Sequence, residues 1–453
     1  MSRKDTRRGS LFAFAAKVVL VAIVAAVAVY LLLLVELQRA RDARLEKLYA
    51  AGVPRRWEDV APPPVPDEEN AAILYLQAFD TLELPRDDDL LLSDLLRPDV
   101  LDQRGDLRVQ ARQILARNAA ALRLLKQAAA KPRCRFPLDW HLDPNQVVFP
   151  QFRDLRACVR LLAADAVIAA ERGDADYAVA SCRAGVKMSE HVSREPLLIG
   201  FLTSVSVLAT AVRSFPYVLE RSSFDESTCR ALFKDLADIE CVDSLQKAMA
   251  VNACEALWSF EAARNQPGKI RELFGEASGI VDSTFGRALF SLYLSPGNLM
   301  RLREEFDYAG FLEAALHATA QPYRLGSHAR LDAESRIERM PRYFLIARTL
   351  GFVPTFAVRS RDEALARRNA MQVALALEAY HTKHGAYPDS LDALRSYPGW
   401  DLPKDPFSGK PFAYRRKGAG FVLYSWGVDL DDDAGRPYDS QTRDGDMVWE
   451  FER

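Results

Sequence analysis

Five short segments between residues 361 and 449 decide the fold of the C-terminal part of this chain. In order they are 376–380 (ALEAY), 385–388 (GAYP), 402–407 (LPKDPF), 424–429 (YSWGVD) and 446–449 (DMVW). Apolar side chains recur at helical spacing before and through the first segment, which predicts a long helix with a single apolar stripe. The stripe consists of Ala366, Ala370, Val373, Leu377 and Tyr380. Arg367, Arg368, Glu378 and Lys383 lie off it.

Residues 412–415 and 421–426 alternate between apolar and polar side chains around the turn sequence 417–420 (KGAG). That alternation across a glycine-containing turn is typical of a β-hairpin. Residues 361–453 are therefore predicted to form a small α+β domain, a long helix with an antiparallel sheet.

Seven aspartates are concentrated between the predicted hairpin and the C-terminus: Asp429, Asp431, Asp432, Asp433, Asp439, Asp444 and Asp446. So many carboxylates repel one another unless they are solvated or bound to a hard cation, and Ca²⁺ takes six to eight oxygen ligands. The spacing of the first aspartates imitates the start of an EF-hand loop. Ala434 stands where that loop needs glycine, and Ser440 where it needs the bidentate glutamate. A calcium site and a metal-free acidic loop both remain open.

The five segments together resemble the soluble domain of the major pseudopilin of bacterial type II secretion systems. In that family, Gly-Ala-Asp and Asp-Ile…Trp segments bracket a structural calcium loop, and residues 427–429 and 446–449 match them. The resemblance implies Asp429 and either Asp444 or Asp446 as side-chain ligands, with Asp431 and Asp433 as alternates. Backbone carbonyls would supply the other oxygens.

Residues 11–35 form an apolar run interrupted only by Lys17. A helix of about 25 residues at 1.5 Å each spans roughly 37 Å, enough to cross a bilayer with some tilt. We expect an uncleaved anchor in a bacterial inner membrane. The basic residues of the 1–10 tail favour a cytoplasmic N-terminus, and pseudopilin domains work in the periplasm. These two arguments put the large domain outside the cytoplasm, although further basic residues follow the span.

The N-terminus departs from the pilin pattern. Pilin-like proteins have a glycine cleavage point followed by a glutamate at the fifth position of the mature helix. Here Gly9 is followed by Ser10, and Phe14 occupies the position of that glutamate. The chain should therefore not polymerise into a pseudopilus by the usual route.

Between the anchor and the C-terminal domain we expect a juxtamembrane helix and proline-rich spacer (36–66), then an α-helical bundle domain (67–355). Asp67 or Glu68 is predicted to cap the first bundle helix. The Pro-x-Pro and Glu-Asn-Ala pattern around it resembles uncharacterised membrane-anchored bacterial proteins, which adds no function. Further helices are predicted at 109–130, 152–171, 177–192, 197–219, 227–239, 244–263, 286–294, 299–320 and 331–350.

Composition excludes some classes of function. The net charge of −2 over 453 residues gives no sign of a nucleic-acid partner. The six cysteines are widely spaced, without the paired arrangement of a zinc site. No fingerprint of a hydrolase, zinc protease, P-loop or dinucleotide site is present, and no small-molecule substrate suggests itself.

Two groups of residues could still carry catalysis or a metal. Asp139, His141 and Asp143 lie in one loop, and His381 and His384 end the predicted long helix. A hydrogen-bonded surface loop and histidines placed near helix C-terminal carbonyls are the alternatives. A third group, Glu255, Glu261, Glu304, Glu305 and Glu313, is expected to form solvated pairs with arginines.

We therefore expect a non-enzymatic, single-pass membrane protein with a structural or protein-binding role, linked to secretion or envelope assembly. Its partners would be the membrane and other envelope proteins. The alternatives are an extracytoplasmic enzyme using the Asp/His loop and a purely helical scaffold with an incidental tail.

Overall fold

The computed structural model describes residues 3–97, 100, 105–147, 149–266, 268, 284–295, 297–341, 343–350, 354–395, 397 and 399–452. The predicted 1–10 tail is described from residue 3 onward. The structure is 67% helical, with an apolar N-terminal helix and a small C-terminal antiparallel sheet.

The helices in chain order are α1 (Arg3–Ala50), α2 (Ala71–Asp80), α3 (Arg86–Leu95), α4 (Leu107–Arg117), α5 (Ala119–Ala129), α6 (Phe152–Glu171), α7 (Ala175–Ser193), α8 (Leu198–Ala211), α9 (Phe215–Arg221), α10 (Glu226–Ala237), α11 (Cys241–Asn265), α12 (Thr284–Tyr293), α13 (Leu299–Ala320), α14 (Ser327–Glu338), α15 (Leu345–Thr349), α16 (Pro354–His384) and α17 (Asp392–Arg395). The strands are β1 (Ala413–Lys417), β2 (Gly420–Ser425) and β3 (Met447–Phe451).

Helix α1 is long and apolar enough to span a membrane, and the apolar window within it is fully exposed. A signal sequence meets the same test of length and composition. The segment Leu198–Arg221, the other apolar stretch of sufficient length, is mostly buried within its own unit, as expected of a core helix.

The chain divides into two compact units. The first comprises Met1–Arg55, Ala256–Ala314 and Asp332–Phe352, and the second comprises Arg56–Glu255, Ala315–Leu331 and Val353–Arg453. In the first unit the rings of Phe260, Tyr308 and Phe311 form an aromatic core.

In the second unit, α6, α7 and α8 pack together as the central layer. Gly185 of α7 lets this packing be close, because a Cβ there would lie 3.0 Å from the Cβ of Ala211. The turn between α6 and α7 is as expected from the sequence. Gly173 has a φ of 77°, and the side chain of Asp174 accepts a hydrogen bond from the N–H of Tyr177 at 3.2 Å.

The single helix predicted at 109–130 is wrong, because the chain breaks at Asn118 into α4 and α5. The buried Asn118 side chain accepts a hydrogen bond from the N–H of Glu83 at 2.8 Å and donates to its carbonyl at 3.0 Å. It also donates to the carbonyl of Ile114. Asparagine that bonds backbone groups outside its helix competes with helix continuation.

Two further predictions of helix ends are wrong. The predicted helix 331–350 is replaced by α14 and the short α15, separated around Pro341, whose missing N–H and fixed ring disfavour a continuous helix. The first bundle helix is capped by Asn70, whose Oδ1 accepts from the N–H of Ala72 at 3.1 Å, and not by Asp67 or Glu68.

The single apolar stripe predicted for the long helix is also wrong. Every residue from Asn369 to Ala379 of α16 is buried, because the helix packs on α10, α8 and the sheet strand β2. The off-stripe Glu378 is buried with a partner, accepting from the hydroxyl of Tyr387 at 3.0 Å. Arg361, 2% exposed, donates to the carbonyls of Thr319 and Gln321 at 2.7 and 2.8 Å.

The sheet has the order β1-β2-β3, with both pairs antiparallel. Ala413 pairs with Tyr424, and Ser425 pairs with Met447. Strand β2 lies in the middle and is almost wholly buried. The loop 426–446 therefore connects the central strand to an edge strand, and it carries the aspartates.

Candidate metal site

Segment 402–407 fixes the point at which the aspartate loop begins. Asp405 is buried and accepts hydrogen bonds from the hydroxyl of Ser425 at 2.6 Å and from the N–H of Phe407 at 3.1 Å. Asn369 of α16 donates to the carbonyl of Lys404 at 2.9 Å. The long helix, the Asp-Pro turn and the end of β2 are thus joined directly before the loop.

The loop folds back on itself through its own backbone. The N–H of Tyr438 donates to the carbonyl of Asp446 at 3.0 Å, and the N–H of Asp446 donates to the carbonyl of Arg436 at 2.8 Å. Gly445 makes this crossing feasible, because its φ is 117° and a Cβ there would lie 2.7 Å from the carbonyl oxygen of Pro437.

Backbone strain is concentrated in the same loop. Among the described residues, the non-glycine positions with positive φ are Leu430, Ala434 and Arg443, at 70°, 56° and 58°. Left-handed backbone at a residue with a Cβ costs free energy and persists only where the surroundings compensate for it.

The loop brings four aspartates together. One carboxylate oxygen from each of Asp429, Asp431, Asp433 and Asp444 lies within 4.8 Å of the others. Within the described part of the chain, this is the group of three or more His, Cys, Asp or Glu side chains that could share an ion. The alternates Asp431 and Asp433 thus join Asp429 and Asp444, and Asp446 lies outside the group.

Two cluster carboxylates share a single cation of the chain. Arg436 forms ion pairs with Asp433 and with Asp444, the latter at 2.5 Å. Asp429 is held differently, with Oδ2 accepting from the N–H of Gly445 at 2.7 Å. Arg436 therefore neutralises part of the charge of two of the four cluster carboxylates.

Several carboxylate oxygens have been removed from water without gaining a partner. Oδ1 of Asp429, Oδ2 of Asp433 and Oδ1 of Asp446 are buried and accept no hydrogen bond from the described residues. Buried polar atoms of this kind are rare and point to a bound water or ion. The oxygen-only donor set suits a hard cation such as Ca²⁺, so these residues fit the ion that the pseudopilin resemblance implies.

Burial also changes the acidity of the loop. It raises the pKa of Asp429 above its ordinary value, although the N–H groups of Gly445 and Asp431 partly offset this. It raises the pKa of Asp446 to about 6, against the opposing effect of the N–H groups of Gly435 and Asp433. A divalent cation would favour the ionised forms of both residues.

Asp446 has a structural position beside the cluster. It is 1% exposed, and its Oδ2 accepts from the N–H of Gly435 at 2.7 Å. The other two aspartates of the loop cap their own turns, since Asp432 accepts from the N–H of Ala434 and Asp439 from the N–H of Gln441.

A cleft of about 370 Å³ adjoins the loop on the side of α16. Arg359, Arg367 and Glu363 line it from the helix, and Tyr438 and Trp449 line it from the loop and β3. Glu363 accepts from Arg359 at 2.7 Å and from Arg367 at 3.5 Å, so one carboxylate is shared by two guanidinium groups.

The loop of Asp139, His141 and Asp143 lies at the surface of the second unit. Asp139 and His141 are exposed, and Oδ1 of Asp139 accepts from the backbone N–H of His141 at 3.0 Å. The loop is attached by its apolar residue Trp140, which packs on Trp57 with ring centroids 5.6 Å apart. The loop is therefore a turn that Asp139 caps and that the contact between Trp140 and Trp57 holds in place.

The two histidines at the end of α16 pack against different tyrosine rings. His384 stacks on Tyr380 with centroids 4.0 Å apart, and its Nδ1 donates to the carbonyl of Tyr380 at 2.9 Å. His381 lies against Tyr387, with centroids 4.5 Å apart. The expectation that helix C-terminal carbonyls account for both histidines is confirmed for His384, and the ring of His381 packs on Tyr387.

The expectation of solvated glutamates is wrong for Glu304 and Glu305, which are 0% and 3% exposed. Glu304 accepts from the hydroxyl of Tyr293 and from the N–H of Ala347, and its burial raises its pKa to about 7. Glu305 pairs with Arg41 of α1 at 3.2 Å and with Arg264. The sequence does not distinguish a helical glutamate that is hydrated from one that pairs with an arginine far away in the chain.

Glu195 is another buried carboxyl group that the sequence did not reveal. Its Oε1 accepts from the N–H of Phe136 at 3.0 Å, whereas its Oε2 is buried without a partner among the described residues. Burial raises its pKa to about 7. It lines a cavity of about 400 Å³ together with Arg194 and Lys247.

Comparison with protein-family models found no matching model, and searches of curated proteins and of solved structures found no similar protein. The resemblance to the major pseudopilin therefore stays a prediction from sequence. Within this chain, hydrogen bonds join Tyr387 to Glu378, Ser425 to Asp405, and Gly445 to Asp429.

Proposed function

We propose that this chain is a single-pass protein of a bacterial inner membrane whose folded part lies outside the cytoplasm and binds other envelope proteins. A calcium ion held by the aspartate loop would stabilise the surface used for binding. The observation that carries the proposal is the loop itself, four carboxylates gathered within 4.8 Å with buried oxygens that lack partners.

The calcium part of the proposal rests on the chemistry of the oxygens. Asp429, Asp431, Asp433 and Asp444 would hold the ion, with backbone carbonyls of the loop completing its coordination. Arg436 partly neutralises the cluster without the ion, and it would have to give up Asp433 or Asp444 when the ion binds. Bound calcium would supply charge neutralisation, and we assign it no chemical step.

The binding part rests on the cleft beside the loop. Arginine and aromatic side chains are enriched where proteins bind one another, and the cleft presents Arg359, Arg367, Tyr438 and Trp449. Asp446 lines the same cleft, so loss of order in the aspartate loop would alter the shape of this surface.

Protease accessibility tests the topology. With the full chain expressed in a two-membrane bacterium, proteinase added after the outer membrane is opened should digest the folded part while a cytoplasmic marker stays intact. Digestion that begins only when the inner membrane is opened would reverse the orientation and overturn the proposal.

A photoreactive amino acid tests the binding surface in cells. At Tyr438, in the cleft, it should form an adduct with an envelope protein, and calcium chelation should weaken that adduct. Tyr177, an exposed tyrosine of α7, is the matched control and should form no adduct. Equal labelling at both positions, or none at Tyr438, would count against a role of the cleft in binding.

A further inference from the structure

Helix α12 presents an apolar side chain outward from the first unit. Phe290 and Tyr293 are buried and stack with ring centroids 6.3 Å apart. Leu292 is 63% exposed, and Met300, at the start of α13, is 47% exposed. An exposed apolar side chain can be covered by lipid where it lies at the depth of the membrane interface, so the position of these two residues relative to α1 decides their role.

Gly297 and Asn298 lie directly before α13, and Asn298 bonds to both α12 and α13. The side chain of Asn298 donates to the carbonyl of Leu292 at 2.8 Å and accepts from the N–H of Met300 at 2.9 Å. The buried Arg301 donates to the carbonyl of Leu294 at 2.9 Å. Asn298 therefore connects the backbone of Leu292 to that of Met300.

The turn at Gly297 contacts helix α1 at the level of its apolar run. The hydroxyl of Tyr30 donates to the carbonyl of Gly297 at 2.6 Å. Tyr30 precedes Val35, the end of the apolar run, by five residues, which is about 7.5 Å along a helix axis. Helices that lie in a membrane interface bury their apolar side chains by roughly 5–10 Å, so the turn is at interfacial depth.

We infer that Leu292 and Met300 insert into the interfacial region of the bilayer that α1 crosses. This inference rests on the proposed anchoring by α1. The two exposed apolar side chains are thereby covered by lipid, and the first unit contacts the membrane at a point outside α1.

Spin labels on the full chain test this in phosphatidylethanolamine–phosphatidylglycerol vesicles. All six native cysteines are buried, so nitroxides can be directed to Leu292→Cys and, independently, to Met300→Cys. Val27→Cys in the apolar run reports the bilayer. Ala50→Cys, an exposed site at the end of the same helix and about 22 Å beyond Val35, reports water.

At Leu292 and Met300, the ratio of relaxation by oxygen to relaxation by a water-soluble nickel chelate should exceed that at Ala50 by about threefold or more. Ratios equal to that of Ala50, with Val27 still lipid-exposed, would overturn the insertion of Leu292 and Met300 and leave the anchor standing. A water-exposed Val27 would overturn both. If the Leu292 variant does not fold, the Met300 variant decides the question alone.

Discussion

Calcium added to the full chain in detergent should raise the melting temperature of the second unit, and Asp429→Asn should remove much of that rise. Asp429 is the cluster residue with a buried, unpartnered Oδ1, and asparagine keeps the acceptor for the N–H of Gly445 while losing the charge. The change therefore removes a ligand charge with little disturbance of the backbone.

The size of the effect follows from mass action. An ion at a hundred times its dissociation constant stabilises the folded state by about 2.7 kcal/mol. A cooperative unit of roughly 300 residues has an unfolding entropy near 0.6 kcal/mol per kelvin, so the melting temperature should rise by about 4 °C. A tenfold loss of affinity would cost about 1.4 kcal/mol and roughly halve the rise.

The stabilisation by calcium should also depend on pH. Because burial raises the pKa of Asp446 to about 6, the folded state binds its proton more tightly than the unfolded chain does. Without metal, this contribution to stability is present at acidic pH and is lost as the pH rises through about 6. Calcium favours the ionised carboxylates, so its stabilisation should grow over the same interval.

Melting followed by far-ultraviolet circular dichroism, with calcium and then with excess chelator, gives the comparison. Asp439→Asn is the matched control, because this exposed loop aspartate lies outside the cluster and accepts from the N–H of Gln441 through an oxygen that asparagine retains. The reasoning fails if Asp429→Asn keeps the full rise, or if Asp439→Asn loses as much of it.

Three further predictions concern other parts of the chain. Arg436→Gln should lower the metal-free melting temperature yet tighten calcium binding, since the guanidinium no longer competes for the aspartates; unchanged or weaker binding in a calcium titration would contradict this. Asn118→Ala should cost about 2–4 kcal/mol in denaturant unfolding, because the buried N–H of Glu83 loses its side-chain acceptor and the Glu83 carbonyl keeps only the longer bond from Arg117; a loss below about 1 kcal/mol would argue against the role of Asn118 in ending α4. Ionisation of Glu304 should lower the free energy of unfolding by roughly 3 kcal/mol as pH rises from about 4 to 8, because burial raises its pKa to about 7; the buried Glu195 adds to this fall. Glu304→Gln should flatten that fall, and an unchanged profile would assign the pH dependence to another group.

Sequence patterns correctly predicted the helices whose ends are determined by residues close by in the sequence. Helices α6 and α13 have the bounds that their apolar periodicity predicts, and the cap at Asp174 follows from its sequence context. Both kinds of signal lie within a few residues of the feature they determine.

Features that depend on distant partners could not be predicted in this way. The break at Asn118 arises from a hydrogen-bonded partner 35 residues away, and the burial of Glu305 from an arginine of α1 that is 264 residues away. The burial of every residue of α16 from Asn369 to Ala379 likewise comes from helices far away in sequence, whereas the sequence of α16 suggested one apolar face.

The aspartate loop falls between these cases. Its composition pointed to a cation, and the four gathered residues are all among those named from the sequence. The sequence could not show which oxygens would be left without partners, or that Arg436 would lie on two of the carboxylates. These two features depend on where the backbone of the loop crosses itself, at Gly445. The crossing requires several residues with left-handed backbone, and no local sequence pattern indicates which residues these are.

Equilibrium dialysis of the purified full chain against radioactive calcium tests the central claim most directly. We predict one tightly held ion for each wild-type chain, its loss in the double variant Asp429→Asn and Asp433→Asn, and its retention in Asp439→Asn. A wild-type chain that retains no calcium, or a double variant that retains as much as the wild type, would contradict the assignment of the loop as a metal site.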